Sequence, residues 1–492
     1  MAPLSYTNLI VADRLSPTVT KRKFKEEFTS DKSRIIFSSP LRRLQQKAQV
    51  FSLETNASVR SRLTHTLEVA TIGISIADKI VARLIDSGLL DAELEIPFVR
   101  IVENACLLHD LGNPPFGHFA EEAIKKWFRI NWRETFIAAT SIPERDLAGT
   151  DAIINILLND FLNFDGNPQG IRIVTTLQDI KLPTRNGTFT DSGLNLTISQ
   201  IAAILKYTSS PSEVDKSDSL KKKAGFFYTE AEKISLIKKR LGITGRYPLV
   251  YIMEAADDIS YCLSDIEDGI EKKIFTPRFF FDKLSDEYDH TFPLGSTKFQ
   301  DIFLGKKTIE EFYEFKIRLI RSIEEYAVIN YVENHDEVIN GSIAELIDKN
   351  SDEGRMLKCL KNLSRKYLFR SSEAENKELA GYHAIFGILD KYKSLLEIGY
   401  KKFNDLVSSK MDIHSVLGSG MDLQWRLFNK LPEKYVDAYK FAYLDLQKKY
   451  KDETIFKQYE WIYRAHLIVD YIAGMTDNYV LETYNLLYGI KI

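Results

Sequence analysis

The sequence lacks the features that mark membrane proteins, export precursors and polycationic nucleic-acid binders. In its 492 residues no uninterrupted apolar stretch approaches the roughly 18 residues of a membrane span. Its first residues show no basic segment followed by an apolar run, as an export signal would. The 66 Lys and Arg against 69 Asp and Glu leave a formal net charge of −3. We therefore expect a cytoplasmic protein without a membrane partner, although a local basic cleft is compatible with this balance.

Cysteine, glycine and proline are also scarce. Cys106, Cys262 and Cys359 lie far apart and form no CxxC pair, so no disulfide framework is indicated. The 24 Gly and 14 Pro fall well below the average share of roughly 12% for the two together. This argues against all-β, collagenous and linker-dominated architectures. With 44% hydrophobic and 27% charged residues, the composition favours a well-packed helical protein.

Apolar periodicity predicts long amphipathic helices. Apolar residues recur mostly at three- or four-residue steps over residues 58–86, and further helices are predicted over 97–111, 117–128 and 247–273. The second of these runs stops at the sequence GNPP of residues 112–115, a strong helix terminator. The sequence therefore predicts an all-α fold.

Two polar stretches between these helices are predicted loops. Residues 163–195 contain a turn signal, Arg185-Asn186-Gly187, between residues suited to strands, which leaves room for one small β-hairpin. Residues 208–223 are rich in Ser, Asp and Lys. From about residue 308 the chain is again predicted to be helical and dense in Tyr, Phe, Leu and Lys.

Histidines beside carboxylates are the most informative feature of the sequence. His65 lies in the middle of the first predicted helix, whereas His109 and Asp110 occupy the last turn of the second. Adjacent side chains on a helix diverge by about 100°, but at a helix end both can reach one ion. Asp257, among small apolar neighbours on the fourth helix, supplies a distant carboxylate.

Two imidazoles and two carboxylates with open positions suit octahedral Mn²⁺, Mg²⁺ or Fe²⁺ better than a thiolate zinc site. Such an ion would activate water and polarise a phosphoryl oxygen. A lone His on an apolar face is more often a core residue, and His335-Asp336, in a polar run, is interpreted as solvated surface. The fourfold pattern is a rarer coincidence, because buried charge is costly unless it is paired or metal-bound.

The residues around these groups resemble the HD-domain deoxynucleoside triphosphate triphosphohydrolases. The resemblance is carried by three ordered segments, SRLTH (61–65), CLLHDLGNPPFGH (106–118) and MEAADDISY (253–261). Two further segments, RRLQQKAQVF (42–51) and DYIAGMTD (470–477), resemble the bacterial dGTP triphosphohydrolase branch more narrowly. The similarity runs from about Asp31 to Tyr479.

The resemblance implies one divalent cation per active site, Mg²⁺ or Mn²⁺, held by His65, His109, Asp110 and Asp257. It also implies that His118 and Glu121 form the catalytic acid/base pair. These two residues stand at i and i+3 at the start of a predicted helix, so they share a face. A carboxylate there can orient the imidazole and raise its pKa. The alternative is a surface His beside a surface Glu.

The resemblance assigns the remaining site residues to the parts of a nucleotide. They are Arg62, Asn167, Lys206 and Lys223 for the phosphates, Gln49, Tyr261 and Asp265 for the sugar, and Val50, Phe369 and Glu378 for the base. A triphosphate carries about four negative charges, so it requires several cations and a metal. Tyr261 and Asp265 follow Asp257 at i+4 and i+8, hence on one helix face, and the resemblance implies that the tyrosine excludes a ribose hydroxyl. Taken singly, each lysine is a candidate solvated charge, Tyr261 a candidate core residue and Asp265 a candidate surface residue.

The implied reaction is hydrolysis of dGTP to deoxyguanosine and inorganic triphosphate, by attack of metal-activated water on the α-phosphorus. Where related enzymes place an arginine near the base, this sequence has Lys410 or Met411, with Arg426 further on. Its long loop over residues 178–195 resembles broader-specificity relatives. The alternatives are therefore a broad dNTP triphosphohydrolase, an enzyme for monophosphates or cyclic nucleotides, and a nucleotide-sensing or nucleic-acid-binding scaffold.

The expected organisation has three regions. They are an N-terminal arm (1–30), an HD-type catalytic core (31–290) and a helical C-terminal region (291–492) that contributes to base recognition and oligomer contacts. The resemblance implies a homo-oligomer, with a hexamer favoured. Binding of single-stranded nucleic acid stays open.

Overall fold

Long helices with one apolar face form most of the chain in the computed structural model, which describes residues 4–18, 20–147, 153–178, 182–183, 189–190, 193–218, 220–293, 295–408 and 420–490. The α-helices of the N-terminal half are α1 (Tyr6–Leu9), α2 (Phe24–Ile36), α3 (Ser39–Arg43), α4 (Arg62–Asp86), α5 (Glu95–Leu108), α6 (His118–Thr140), α7 (Ile153–Leu157), α8 (Asn159–Leu162), α9 (Gly166–Arg172), α10 (Ile198–Ala202) and α11 (Ala231–Leu241). The remaining α-helices are α12 (Val250–Glu271), α13 (Pro277–Thr291), α14 (Gln300–Phe303), α15 (Ile309–Glu333), α16 (His335–Ile339), α17 (Asp352–Leu363), α18 (Ser372–Glu397), α19 (Tyr400–Ser408), α20 (Asp422–Phe428), α21 (Glu433–Lys449), α22 (Glu453–Ala473) and α23 (Asp477–Tyr488). This confirms the all-α expectation.

Short turns of other helix types and one hairpin complete the described structure. The 3₁₀ turns are Leu44–Gln46, Ala92–Leu94, Glu144–Leu147, Pro211–Glu213 and Tyr228–Glu230, and the π turns are Ile173–Leu177 and Ser364–Leu368. The strands β1 (Leu182–Pro183) and β2 (Phe189–Thr190) pair antiparallel, with Leu182 opposite Thr190. The expected small hairpin is therefore present, and its turn signal Arg185-Asn186-Gly187 lies outside the described residues.

The helices α4, α5 and α12 pack against one another and set the position of the His–Asp cluster. Helix α4 begins at Arg62 because the Ser61 hydroxyl accepts a hydrogen bond from the Thr64 backbone and the Thr64 side chain caps in return. Gly73 lets α4 approach α5 closely, since a Cβ at this position would lie 2.5 Å from Cys106 Sγ. All four helices predicted in this region are observed, and α6 continues to Thr140 because its apolar positions recur beyond residue 128.

The C-terminal helices lie behind the start of α6. Helix α18 packs along α6 and also contacts α23, while α22 contacts both α6 and α18. The main hydrophobic core draws its buried side chains from most of the chain, with Tyr6 the first and Val480 the last of them. The three-region division stays a prediction.

Two further expectations concern the surface. Asp336 is exposed as expected, but the interpretation of His335 as solvated surface is wrong, because its side chain is only 14% exposed and its ring lies 5.7 Å from that of Tyr6. The polar sequence around His335 conceals this contact with the distant α1. Searched over the described residues, no helix is both long and apolar enough to cross a lipid bilayer.

Candidate active site

The four predicted metal ligands meet where α4, α5 and α12 converge. His65, His109 and Asp110 each offer a ligand atom, and these atoms lie within 4.8 Å of one another. From the facing helix, Asp257 Oδ1 lies 3.4 Å from His65 Nε2 and 3.5 Å from His109 Nε2. The structure therefore brings together two imidazoles and two carboxylates that are separated by up to 192 positions in the chain.

The unpartnered nitrogens of this cluster fit a bound cation. His65 is fully buried, and within the described part of the chain neither of its ring nitrogens has a hydrogen-bond partner of good geometry. His109 Nδ1 donates to the Cys106 carbonyl at 2.7 Å, which leaves the Nε2 lone pair directed elsewhere. Buried polar atoms without partners are costly, and this N/O donor set suits a divalent cation of intermediate to hard character.

Both carboxylates are held in the ionised form. Asp110 accepts hydrogen bonds from Arg62 Nη1 and from Asn113 Nδ2, each at 2.5 Å. Burial alone would raise the pKa of Asp110, but the charges of Arg62 and His109 bring it below its ordinary value. Burial opposes ionisation of Asp257 too, yet His109, His65 and Lys206 hold its pKa well below the usual range. Both carboxylates are therefore available as anionic ligands near neutral pH.

His118 and Glu121 form a hydrogen-bonded pair at the start of α6. His118 Nδ1 lies 2.9 Å from Glu121 Oε2, and the imidazole is 81% exposed while the carboxylate is buried. The other carboxylate oxygen accepts from the Gly166 backbone N–H at 2.9 Å. The hydrogen bond and charge of Glu121 raise the pKa of His118 above its ordinary value. His118 thus presents an outward-facing ring on a fixed carboxylate that favours the protonated form of the imidazole.

A cavity of about 370 Å³ opens over the His–Asp cluster of His65, His109, Asp110 and Asp257. All four predicted phosphate residues line it: Arg62, Asn167, Lys206 and Lys223. Lys223 Nζ lies 2.6 Å from Asp165 Oδ2, and Asn167 Nδ2 donates to the same carboxylate at 2.5 Å. Lys206 Nζ lies 3.8 Å from Asp257 Oδ2. The three cations therefore border one space beside the cluster, and each lysine is paired there with a carboxylate.

A second cavity, of about 390 Å³, continues from the first. The two share the lining residues Gln49, Arg62, Gly117, His118 and Tyr261. The predicted base residues Val50, Phe369 and Glu378 also line the second cavity. Val50 and Phe369 pack on a small apolar cluster separate from the main core, formed by Phe51, Val59 and Leu368. Together the two cavities form one cleft, which we call the substrate cleft.

The predicted sugar residues are only partly brought together. Gln49 and Tyr261 line both cavities, whereas Asp265 is fully buried and lines neither. The surface alternative for Asp265 is therefore wrong. Its two carboxylate oxygens, like Gln49 Oε1, have no hydrogen-bond partner of good geometry among the described residues. Burial raises the pKa of Asp265 to about 8, so the group is neutral or close to neutral at pH 7.

Sequence reasoning missed three cations of the substrate cleft. Lys361 lines the first cavity, over the His–Asp cluster, and donates to Asp258 at 2.8 Å. Arg365 and Arg370 line the second cavity. The spacing of Lys361 and Arg365 at eight and four residues before Phe369 is the signal that could have found these two cations.

Among the described residues, Arg426 does not take the place of the arginine that related enzymes position near the base. Arg426 pairs with Asp422 on α20 and lines neither cavity. Lys410 and Met411 lie outside the described residues.

Comparison with known families agrees with this geometry. Residues 62–186 match the HD domain family and residues 424–486 match the phosphohydrolase-associated domain family. The protein is therefore an HD-domain protein, and the matched residues include His65, His109 and Asp110 but not Asp257.

Curated relatives narrow the assignment. A deoxyguanosinetriphosphate triphosphohydrolase of Cronobacter sakazakii is 36% identical, over 94% of this chain and 94% of its own length. A protein of the same name from Enterobacter sp. (strain 638) is 35% identical, over 100% of this chain and 100% of its own length. Another, from Klebsiella pneumoniae (strain 342), is 34% identical, over 96% of this chain and 95% of its own length. The chain belongs to the deoxyguanosinetriphosphate triphosphohydrolase family, and it is a hydrolase. The family expected from the sequence is confirmed, and the roles of individual residues stay predictions.

Proposed function

We propose that the protein hydrolyses dGTP to deoxyguanosine and inorganic triphosphate. One observation carries this proposal: the cation-lined cavity over the His–Asp cluster is continuous with an apolar, aromatic-lined cavity, and His118 stands at their junction. A nucleotide with its phosphates in the first cavity and its base in the second would place the bond to the 5′-oxygen near His118. Membership of a family whose curated relatives are named for dGTP supports the choice of substrate.

A divalent cation held by His65, His109, Asp110 and Asp257 would lower the pKa of water and neutralise phosphate charge. Arg62 and Asn113 keep Asp110 oriented toward that position through the two hydrogen bonds it accepts. We propose Mg²⁺ or Mn²⁺, because nitrogen and carboxylate donors without thiolates suit these ions.

His118 acts as the general acid in this proposal. A water oxygen attacks the α-phosphorus, the bond from phosphorus to the 5′-oxygen breaks, and the departing oxygen takes the proton from His118. The water proton passes to solvent. Glu121 keeps His118 protonated through the 2.9 Å hydrogen bond, and such positioned acids contribute typically 10²–10⁴-fold to the rate. Lys206, Lys223 and Asn167 bind the triphosphate that leaves.

The second cavity would select the nucleoside. Tyr261 lies between the two cavities, with its ring centroid 6.4 Å from that of Phe369. A tyrosine at this place would fill the space of a 2′-hydroxyl, while Val50 and Phe369 would enclose the base. Glu378 is half-buried in the lining of this cavity, where its carboxylate could accept from guanine N1–H and the 2-amino group.

Incubation of the purified protein with dGTP and Mn²⁺ or Mg²⁺ tests the proposal. Phosphorus NMR should show inorganic triphosphate, and release of pyrophosphate or single phosphate would contradict the reaction. His109→Ala should lose both turnover and metal binding, whereas His383→Ala, at an exposed position of α18 outside the substrate cleft, should retain both. Parallel rates for the four dNTPs, singly and mixed, separate a dGTP-selective enzyme from a broad one.

A further inference from the structure

The turn that leads into α6 has two consecutive residues with positive φ. Phe116 has φ of 61° and Gly117 has φ of 60°. Glycine adopts this conformation freely, but a bulky aromatic residue does so only when its surroundings determine it. His118 follows directly, so whatever holds Phe116 also places the imidazole.

The carboxylate of Asp477 holds the backbone of this turn. Asp477 is the first residue of α23 and is 2% exposed. Its Oδ1 accepts from the Phe116 N–H at 3.2 Å, and its Oδ2 accepts from the Ala48 N–H at 3.0 Å. Ala48 directly precedes Gln49, which lines the substrate cleft. One buried carboxylate therefore joins the segment before His118 to the segment before Gln49.

A buried lysine ties the same segments a second time. Lys47 Nζ donates to the Asn113 carbonyl at 2.6 Å and to the Ala473 carbonyl at 2.8 Å. Asn113 is the residue whose side chain donates to Asp110. The C-terminal segment of residues 473–477 thus contacts both the turn of residues 109–117, which we call the HD turn, and the 47–48 segment.

The ring of Phe116 is located by a glycine on α18. A Cβ at Gly381 would lie between 2.2 and 2.6 Å from three atoms of the Phe116 ring, closer than real contacts allow. Only hydrogen at this position leaves room for the ring. Glu378 of the second cavity lies on the same helix, one turn earlier.

We infer that Asp477 and Gly381 are positioning residues for His118: Asp477 fixes the Phe116 backbone through its N–H, and Gly381 gives the Phe116 ring its place on α18. This inference rests on the proposed role of His118 as general acid. Neither Asp477 nor Gly381 lines the substrate cleft, so neither residue touches the substrate, and both act through the turn.

The substitution Asp477→Asn tests the inference with little change of volume. An amide oxygen can accept one of the two N–H donors, and its NH₂ group then faces the other. We expect kcat for dGTP to fall about 10- to 100-fold, the loss expected when a reacting group moves by about 1 Å. The metal affinity should stay within about threefold of the original, because Asp477 touches none of the four ligands.

A double-mutant cycle separates positioning from a general loss of stability. In a His118→Ala background the acid is already absent, so Asp477→Asn should lower kcat by less than about twofold. An equal loss in both backgrounds, or no loss in the original one, would overturn the inference. Asp352→Asn is the matched control, because Asp352 also opens a helix, α17, but pairs at the surface with Arg355 and Lys298. It should leave kcat unchanged.

Gly381→Ala is a second test, which applies even if the Asp477→Asn protein does not fold. It displaces the Phe116 ring instead of releasing the Phe116 backbone. It should also lower kcat 10- to 100-fold, and normal turnover would overturn the assignment of Gly381.

An NMR titration of ¹³C-labelled histidine needs no substrate and stands apart from the proposed reaction. A displaced His118 loses its hydrogen bond to Glu121, so its pKa should fall in both variants. If the original protein does not hydrolyse dGTP, the proposed function fails while this titration still decides the positioning. An unchanged His118 pKa in both variants would overturn it.

Discussion

Gly112 of the HD turn packs against Gly170 of α9. We predict that alanine lowers the free energy of unfolding at the first of these positions and raises it at the second. A Cβ at Gly112 would lie 2.0 Å from the Gly166 carbonyl oxygen and 2.2 Å from the Gly170 nitrogen, both backbone atoms. Real Cβ contacts essentially never come closer than 3.0 Å. In the Gly112→Ala protein, α9 must therefore move by about 1 Å, since backbone cannot give way as a flexible side chain does.

Two contacts determine how much this displacement lowers the free energy of unfolding. Overpacking in a dense core typically costs about 1–3 kcal/mol, and rigid backbone puts this case at the upper end. The displacement also separates the Gly166 N–H from Glu121 Oε1, now 2.9 Å apart. We expect Gly112→Ala to lower the free energy of unfolding by about 3 kcal/mol, and kcat to fall because Glu121 no longer holds His118 in place.

Gly170→Ala supplies the matched control in the same contact. Its Cβ would lie 3.6 Å from the Gly112 nitrogen and 3.8 Å from the Gly112 Cα, an ordinary van der Waals distance. Because Gly170 lies inside α9, alanine should stabilise the helix by up to about 1 kcal/mol. Urea unfolding midpoints and kcat should be measured for both variants. Equal stability of the two would refute the described contact, and unchanged kcat in Gly112→Ala would refute its link to Glu121.

Three further predictions concern the site and the core. Because the raised pKa keeps His118 protonated to higher pH, turnover should fall as the pH rises through that pKa. Glu121→Gln should lower the pKa of His118 and so move this alkaline limb of the pH–rate profile to lower pH. A limb that does not move would contradict the pairing of His118 with Glu121. Asp257→Asn removes the carboxylate that approaches both imidazoles, so calorimetry should show at least about tenfold weaker Mn²⁺ binding, and equal affinity would exclude Asp257 as a ligand. Glu460→Ala leaves the fully buried Arg464 without its carboxylate, which should cost about 3–5 kcal/mol in urea unfolding, and a change below about 1 kcal/mol would show that the pair is dispensable.

The helices and the convergence of the His–Asp cluster could be predicted because their signals are local or carried by distinctive residues. The apolar residues of α4 and α12 recur with the 3.6-residue period of a helix, which the sequence alone shows. His109-Asp110 lies just before the helix-terminating sequence GNPP of residues 112–115. The buried state of Asp265 could not be read, because it depends on which helices cover that face of α12. Arg365 reaches the substrate cleft for a similar reason: α17 and the π turn after it bring its segment next to α12, a contact between distant parts of the chain.

The segment of residues 470–477 carried only a resemblance in the sequence, and its contacts give it a physical role. Asp470 is buried and accepts from Arg172 Nε and Nη2 and from Gln169, which fixes α9 against α22. The first residue of α9, Gly166, in turn donates to Glu121. Asp477, seven residues on, holds the turn that ends at His118. Because the two ends of this one segment act on the two members of the proposed acid/base pair, a shift of α22 and α23 would change the hydrogen bond between His118 and Glu121.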